Sequence, residues 1–282
     1  MDAVALALGS ALLFGAMTVT LRYALRRGVP AETTAFLMVL IAFGVALIAI
    51  PVTGAGGLAS CWPFLLAGVV APGLSQVLFA YAVRDAGPAR ASVAVGMAPL
   101  VSVAIALTLL GEPAKPLLLV GAVAIVLGGV TLALESSRPA HVRRLGLVFA
   151  FGTMVLFATR DSLIRRLSID TEIDPAVAAA ATLGSGTVVI LLSLLLTRRP
   201  VTFRPILDVL PTGVTYGASY VLLFEAFYRG RVSVVSPLIA TESLWTVVLA
   251  LLFLRRHEHV GVRLALGALL VVAGGVLIGV FR

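Results

Sequence analysis

Runs of about twenty apolar residues succeed one another through this chain with almost nothing between them. Each is long enough to cross about 30 Å of hydrocarbon, where backbone N–H and C=O groups find no water and must pair within their own segment. In segments of this length only helices meet that demand. Charged flanks mark off ten runs, at about 3–23, 33–53, 63–83, 89–110 and 115–134, then 145–165, 175–197, 207–228, 232–254 and 260–281, to within a few residues at each end. With 60% hydrophobic and 12% charged residues, the chain is too apolar for a soluble globular domain. The expected fold class is an all-α polytopic membrane protein with ten transmembrane helices. The first run has no basic residues ahead of it and reads as a retained helix, not a signal peptide.

A repeat divides the ten runs into five and five. GAVAIVLGGV at 121–130 returns as GALLVVAGGV at 267–276. Gly73, Ser75 and Ala82 fall on Gly217, Ser219 and Ala226, a shift of 144 (217 less 73), and Ser92 falls on Ser236. From Glu112 and Glu258 onward the shift is 146 (258 less 112), a two-residue loop insertion. FGAM at 14–17 answers FGTM at 151–154. The longest polar link, with Arg138, His141, Arg143 and Arg144, lies between the copies and divides the chain into halves 1–138 and 139–282. Five is odd, so the halves must face opposite ways across the bilayer. Two inverted five-helix repeats are an architecture of secondary transporters.

Several stretches add a family resemblance. The YAVRDAGPARAS turn at 81–92, the LLGEP exit at 109–113 and the GAVAIVLGGV fifth span, set in two five-span halves, resemble the drug/metabolite transporter superfamily, EamA type. The resemblance covers the whole chain. It implies a helical bundle with a central cavity lined by the first four spans of each half, the fifth and tenth packed outside. This chain departs from the pattern in three places. No basic residue occurs in 31–52, where the family often carries one; Ser243 stands where a proline matching Pro99 is expected; and the second exit glutamate, Glu258, sits in RRHEHV.

Polar residues inside spans are the candidates for a pathway. Ser92, Gly96, Pro99 and Ser102 share one face of the fourth span, and Ser236, Ala240, Ser243 and Thr246 repeat that face in the ninth. Such a face suits either tight helix packing or a cavity wall. Pro72, Pro99 and Pro237 favour the wall, because a proline frees a backbone carbonyl that a neighbour, water or substrate must satisfy. Tyr216, Tyr220, Phe224 and Phe227 form a stripe along the eighth span, with Thr212 and Ser219 adding hydroxyls. This stripe also suits either packing or substrate. Gln76 corresponds to Tyr220, and an amide in the membrane needs a partner. The expected pathway is Gln76, Ser92, Pro99, Ser102, Tyr216, Ser219, Tyr220, Ser236, Ser243, Trp245 and Thr246.

An ionisable side chain costs at least about 2.5 kcal/mol at the membrane centre unless it is paired or hydrated. Glu242 lies near the middle of the ninth span; Glu225 and Arg160 lie nearer the ends of the eighth and sixth. Those two spans run in the same direction, so Arg160 and Glu225 are expected to pair. The competing reading has Arg160 snorkelling toward Arg165 and Arg166. Glu242 has no such route out. It is expected to couple transport to protons, the alternative being a carboxyl held permanently by neighbouring hydroxyls.

The charge pattern limits the other classes. A net charge of +8 is carried by short Arg clusters between runs, which orient spans, so no nucleic-acid partner is expected. The single cysteine, Cys61, excludes an intrachain disulfide, and His141, His257 and His259 have no zinc or catalytic spacing. No glycine-rich phosphate loop opens a helix. No enzyme activity, metal or cofactor is expected. The leading function is a secondary active exporter of small neutral or zwitterionic metabolites such as amino acids, coupled to protons; the alternative is a non-transporting scaffold or accessory subunit. The expected setting is the inner (plasma) membrane of a bacterium or archaeon, with the lipid bilayer as partner and the chain a monomer or homodimer. Ala124 with Gly128, and Gly275 with Gly279, read as helix packing, with dimerisation the alternative. Arg26, Arg27, Arg84, Arg90, Arg143, Arg144 and five further arginines between 198 and 256 fall in loops on one side. The positive-inside rule makes that side cytoplasmic and both termini external. The family resemblance implies both termini inside, and the charge count is preferred as a property of this chain.

Overall fold

The computed structural model describes residues 2–53, 55–98, 100–101, 116–133, 144–169, 171–230, 235, 238–254 and 261–281. The expected midpoint near residue 140, the exit glutamates Glu112 and Glu258, and the three histidines lie outside these residues. The first half contains α1 (Ala3–Arg26), α2 (Ala31–Thr53), α3 (Trp62–Gly68), a π-helical turn (Val69–Leu74), α4 (Ser75–Ala86), α5 (Pro88–Val95) and α6 (Pro116–Ala133). The second contains α7 (Arg144–Ser168), α8 (Pro175–Leu196), α9 (Ile206–Arg229), α10 (Glu242–Phe253) and α11 (Val262–Phe281). Among the described residues six stretches are long and apolar enough to span a membrane, and Leu238–Phe253 and Val262–Leu277 are shorter apolar helices.

Three of the expected continuous helices are broken instead. In the third span Ala71 leaves the helix at φ −150°, ψ 122°. Pro72 explains this, since its ring excludes the helical region for the residue before it. In the fourth span α5 stops at Val95, and Gly96 and Met97 form a turn. In the ninth, a turn at Thr241 precedes α10. The fourth and ninth spans break at equivalent places, because Met97 and Thr241 are related by the shift of 144 (241 less 97). The third and fourth spans are joined by a single residue: Gly87 takes φ +86°, which a side chain would resist, and its N–H closes α4 on Val83 O at 3.1 Å. Pro88 then opens α5, where its missing N–H is not needed.

The repeat is visible in the packing. α6 lies against α11, and their glycines permit close approach. A Cβ at Gly128 would sit 2.8 Å from Gly267 O and 2.7 Å from a Val271 methyl; one at Gly274 would sit 2.5 Å from Gly121 O. Exchanging the repeat copies turns one contact into the other, so the two helices cross antiparallel, as an inverted repeat requires. These glycines are seven residues apart, whereas the expected small pairs put weight on Ala124, Gly275 and Gly279. A second such pair joins Gly73 to Val189 and Gly217 to Val45.

The ends of the helices meet across the halves. At one end of the bundle Arg27 pairs with Asp208, Arg199 lies 3.8 Å from Glu32, and Tyr23 Oη donates to Phe253 O at 3.1 Å. At the other end Gly56 N donates to Asp174 Oδ2 at 2.7 Å, and Asp174 N donates to Gly56 O at 3.1 Å. Not every arginine of the charged side is in a loop. Arg90 is buried in the first turn of α5, and Arg84 belongs to α4, paired with Asp85 at 2.7 Å. The buried Arg22 of α1 donates to Val83 O and Arg84 O, carbonyls in the last turn of α4.

Candidate functional site

A cavity of about 30 Å³ opens where the fourth and ninth spans break. Val95, Gly96 and Ala98 line it from one break, Ile239, Ala240 and Glu242 from the other. Phe14 of α1 and Phe157, Arg160 and Asp161 of α7 complete the wall. The volume holds one or two waters.

Arg160 is the centre of a buried network. Its Nε and Nη2 reach Asp161 Oδ1 at 2.9 and 2.8 Å, and Nη1 donates to Tyr220 Oη at 3.2 Å. The guanidinium lies 4.6 Å from the Phe157 ring centre and 5.3 Å from that of Tyr220. Tyr220 Oη donates in turn to Ala71 O at 3.2 Å, the carbonyl exposed by the break before Pro72. Gln76 Nε2 donates to Tyr216 Oη at 2.6 Å, and the Gln76 Oε1 is buried without a partner. The two tyrosine rings sit 5.0 Å apart, with Phe14 packed edge-on against both.

Glu242, the first residue of α10, is 8% exposed and lines the cavity. Among the described residues its carboxyl makes no hydrogen bond. The expected Arg160–Glu225 pair does not form. Arg160 takes Asp161, its neighbour in sequence, and Glu225 takes Arg229 at 2.5 Å, one turn along α9. Each charge is met on its own helix, so neither needs to reach across to another.

The hydroxyls of the matching faces turn inward to their own helices. Ser92 donates to Ala89 O, Ser243 to Ala240 O, Thr246 to Glu242 O and Ser219 to Tyr216 O, all within 3.0 Å. A Cβ at Gly96 would sit 3.3 Å from Ser243 Oγ, so this face is a contact between the fourth and ninth spans beside the cavity. Trp245 is 38% exposed and packs on Gly15 at the outside of the bundle. Pro99, Ser102, Ser236 and Pro237 lie outside the described residues. Six wall residues escaped the sequence reading: Phe14, Val95, Ala98, Phe157, Asp161 and Ile239. Only Asp161 carried a signal, an acid directly after Arg160 inside a span.

Among solved structures, a chain titled "Crystal structure of protein" matches with a TM-score of 0.72 over 98% of this chain and 95% of that chain at 20% identity, a likeness of fold. No match was found among curated proteins. The model of the EamA-like transporter family matches residues 1–134 and again 144–280. Both halves, and nearly the whole length, therefore answer to one description, and the chain belongs to the EamA-like transporter family.

Proposed function

We propose that the chain is a secondary active carrier that exports small neutral or zwitterionic organic metabolites of amino-acid type, coupled to protons through Glu242. The observation that carries the reading is a buried carboxyl, without a hydrogen bond among the described residues, in a cavity at the symmetric breaks of two spans. Interrupted helices at a repeat interface are where secondary transporters bind their cargo. A proton and a substrate that compete for one site are coupled without ATP. Tyr216, Tyr220 and Gln76 lie behind Arg160 and fix the wall from which Glu242 is approached. The arginine-rich ends of the bundle face the cytoplasm.

Proteoliposomes loaded with substrate and given a pH gradient test the coupling. Glu242→Gln keeps shape and hydrogen bonding but cannot ionise. The expected variant exchanges substrate downhill and no longer responds to the gradient. Wild-type uphill transport by Glu242→Gln would remove the coupling role. Absence of flux in the wild type with every class of solute would favour a scaffold.

A further inference from the structure

The charges around the cavity do not cancel. Arg160 is balanced by Asp161 at 2.8 Å, and all three of its nitrogens are engaged by Asp161 and Tyr220. Glu242 is left over. When ionised, it is a second negative charge beside one cation, Arg160, that Asp161 already pairs, and the cost of at least about 2.5 kcal/mol falls if the cargo brings a positive charge. The helices packed on α10 do not supply one to the cavity. Arg22 of α1 is turned to the end of α4, Arg90 stands five residues ahead of Val95 in α5, and Arg263 opens α11 at the surface.

We propose that Glu242 binds the ammonium group of an organic amine and exchanges it for the proton it otherwise holds. The proposal rests on the carrier reading of this cavity and narrows its cargo to amine-bearing solutes, with or without a carboxylate. The rest of the wall fits that class. Phe14 and Phe157 present aromatic surface, which attracts organic cations, whereas an inorganic cation wants several oxygen ligands and most of this lining is carbon. A cargo with only a carboxylate would have to displace Asp161 from Arg160 and lie beside Glu242. Like charges exclude it.

Carbodiimide labelling of the purified full chain tests the site without any transport step. The reagent, kept in excess, activates a buried carboxyl, and the sum of acylurea and any butylamide formed at Glu242 is counted by mass spectrometry as labelling, in the presence of butylamine, butanamide, butanoate or sodium chloride. Butylamine is expected to slow labelling about tenfold at a concentration where the other three have no effect, a difference of about 1.4 kcal/mol. Asp161→Asn frees Arg160 and is expected to let butanoate protect as well. Equal protection by butanamide, butanoate or sodium, or none by butylamine, overturns the proposal. Protection by butylamine without butylamine flux in proteoliposomes would leave the ammonium site standing and remove the carrier reading.

Discussion

Tyr220 shows what one hydroxyl does at a break in a membrane helix. It donates to Ala71 O and accepts from Arg160, so it serves the open backbone of the third span and the charge of the sixth together. Water is not there to replace it. Tyr220→Phe should therefore orphan a carbonyl and an N–H, at about 1–3 kcal/mol for each buried group. Tyr216→Phe orphans the Gln76 amide and removes a contact with Tyr220, but leaves the Ala71 carbonyl and Arg160 served. Thermal unfolding in detergent is expected to place Tyr220→Phe below Tyr216→Phe, and equal midpoints would mean the Ala71 and Arg160 contacts contribute nothing. At this scale the need for partners was legible, but not their identities. Gln76 announced its need through the cost of a dry amide. Spacing between helices points Arg160 at Glu225, whereas the acid it meets is Asp161, its neighbour in sequence.

Helices tell the same story with the roles reversed. Pro72 marked a freed carbonyl, and the backbone does leave the helix at Ala71. The serine and threonine faces carried two readings, and their hydroxyls turned to their own carbonyls, leaving the turns beside them to open the cavity. Hydroxyl periodicity cannot distinguish these outcomes, since a back-bonded serine and a substrate-facing one occupy the same helical position. The glycine repeat was plain in sequence, whereas its contact face depended on how α6 and α11 cross. That crossing makes a prediction. Gly128→Val places atoms where Gly267 O and Val271 already lie, so overpacking should cost about 1–3 kcal/mol. Because α6 and α11 contribute no described residue to the cavity, butylamine protection of Glu242 in the folded fraction should be unchanged. Loss of protection at full stability would place this helix pair in the site.

The whole molecule was the most legible level, because an inverted repeat constrains every contact twice. α2 begins where α8 ends and α8 begins where α2 ends, and both meetings are bonded. On the arginine-rich side the bond is a Glu32–Arg199 ion pair of 3.8 Å, with Glu32 also accepting from Tyr81 Oη at 2.5 Å. On the other side it is the double hydrogen bond between Gly56 and Asp174. The repeat makes these the same contact on opposite faces of the bundle. An alternating-access cycle needs one to open while the other holds. Both are exposed but they differ in kind: Arg199 and Glu32 form one water-screened ion pair, contributing about 0–1 kcal/mol, whereas Gly56 and Asp174 share two hydrogen bonds, one of them to a carboxylate. The arginine-rich face should therefore be the easier of the two to open. Cysteines at 32 and 199, and separately at 56 and 174, in a Cys61→Ala background test this with a short thiol-reactive linker. Either lock is expected to stop transport, with recovery when a reducible linker is cleaved. In the unlinked proteins the pair at 32 and 199 should be the more accessible to a water-soluble maleimide. Equal accessibility of the two pairs, or full transport with either linker in place, would mean that these ends do not gate the cavity.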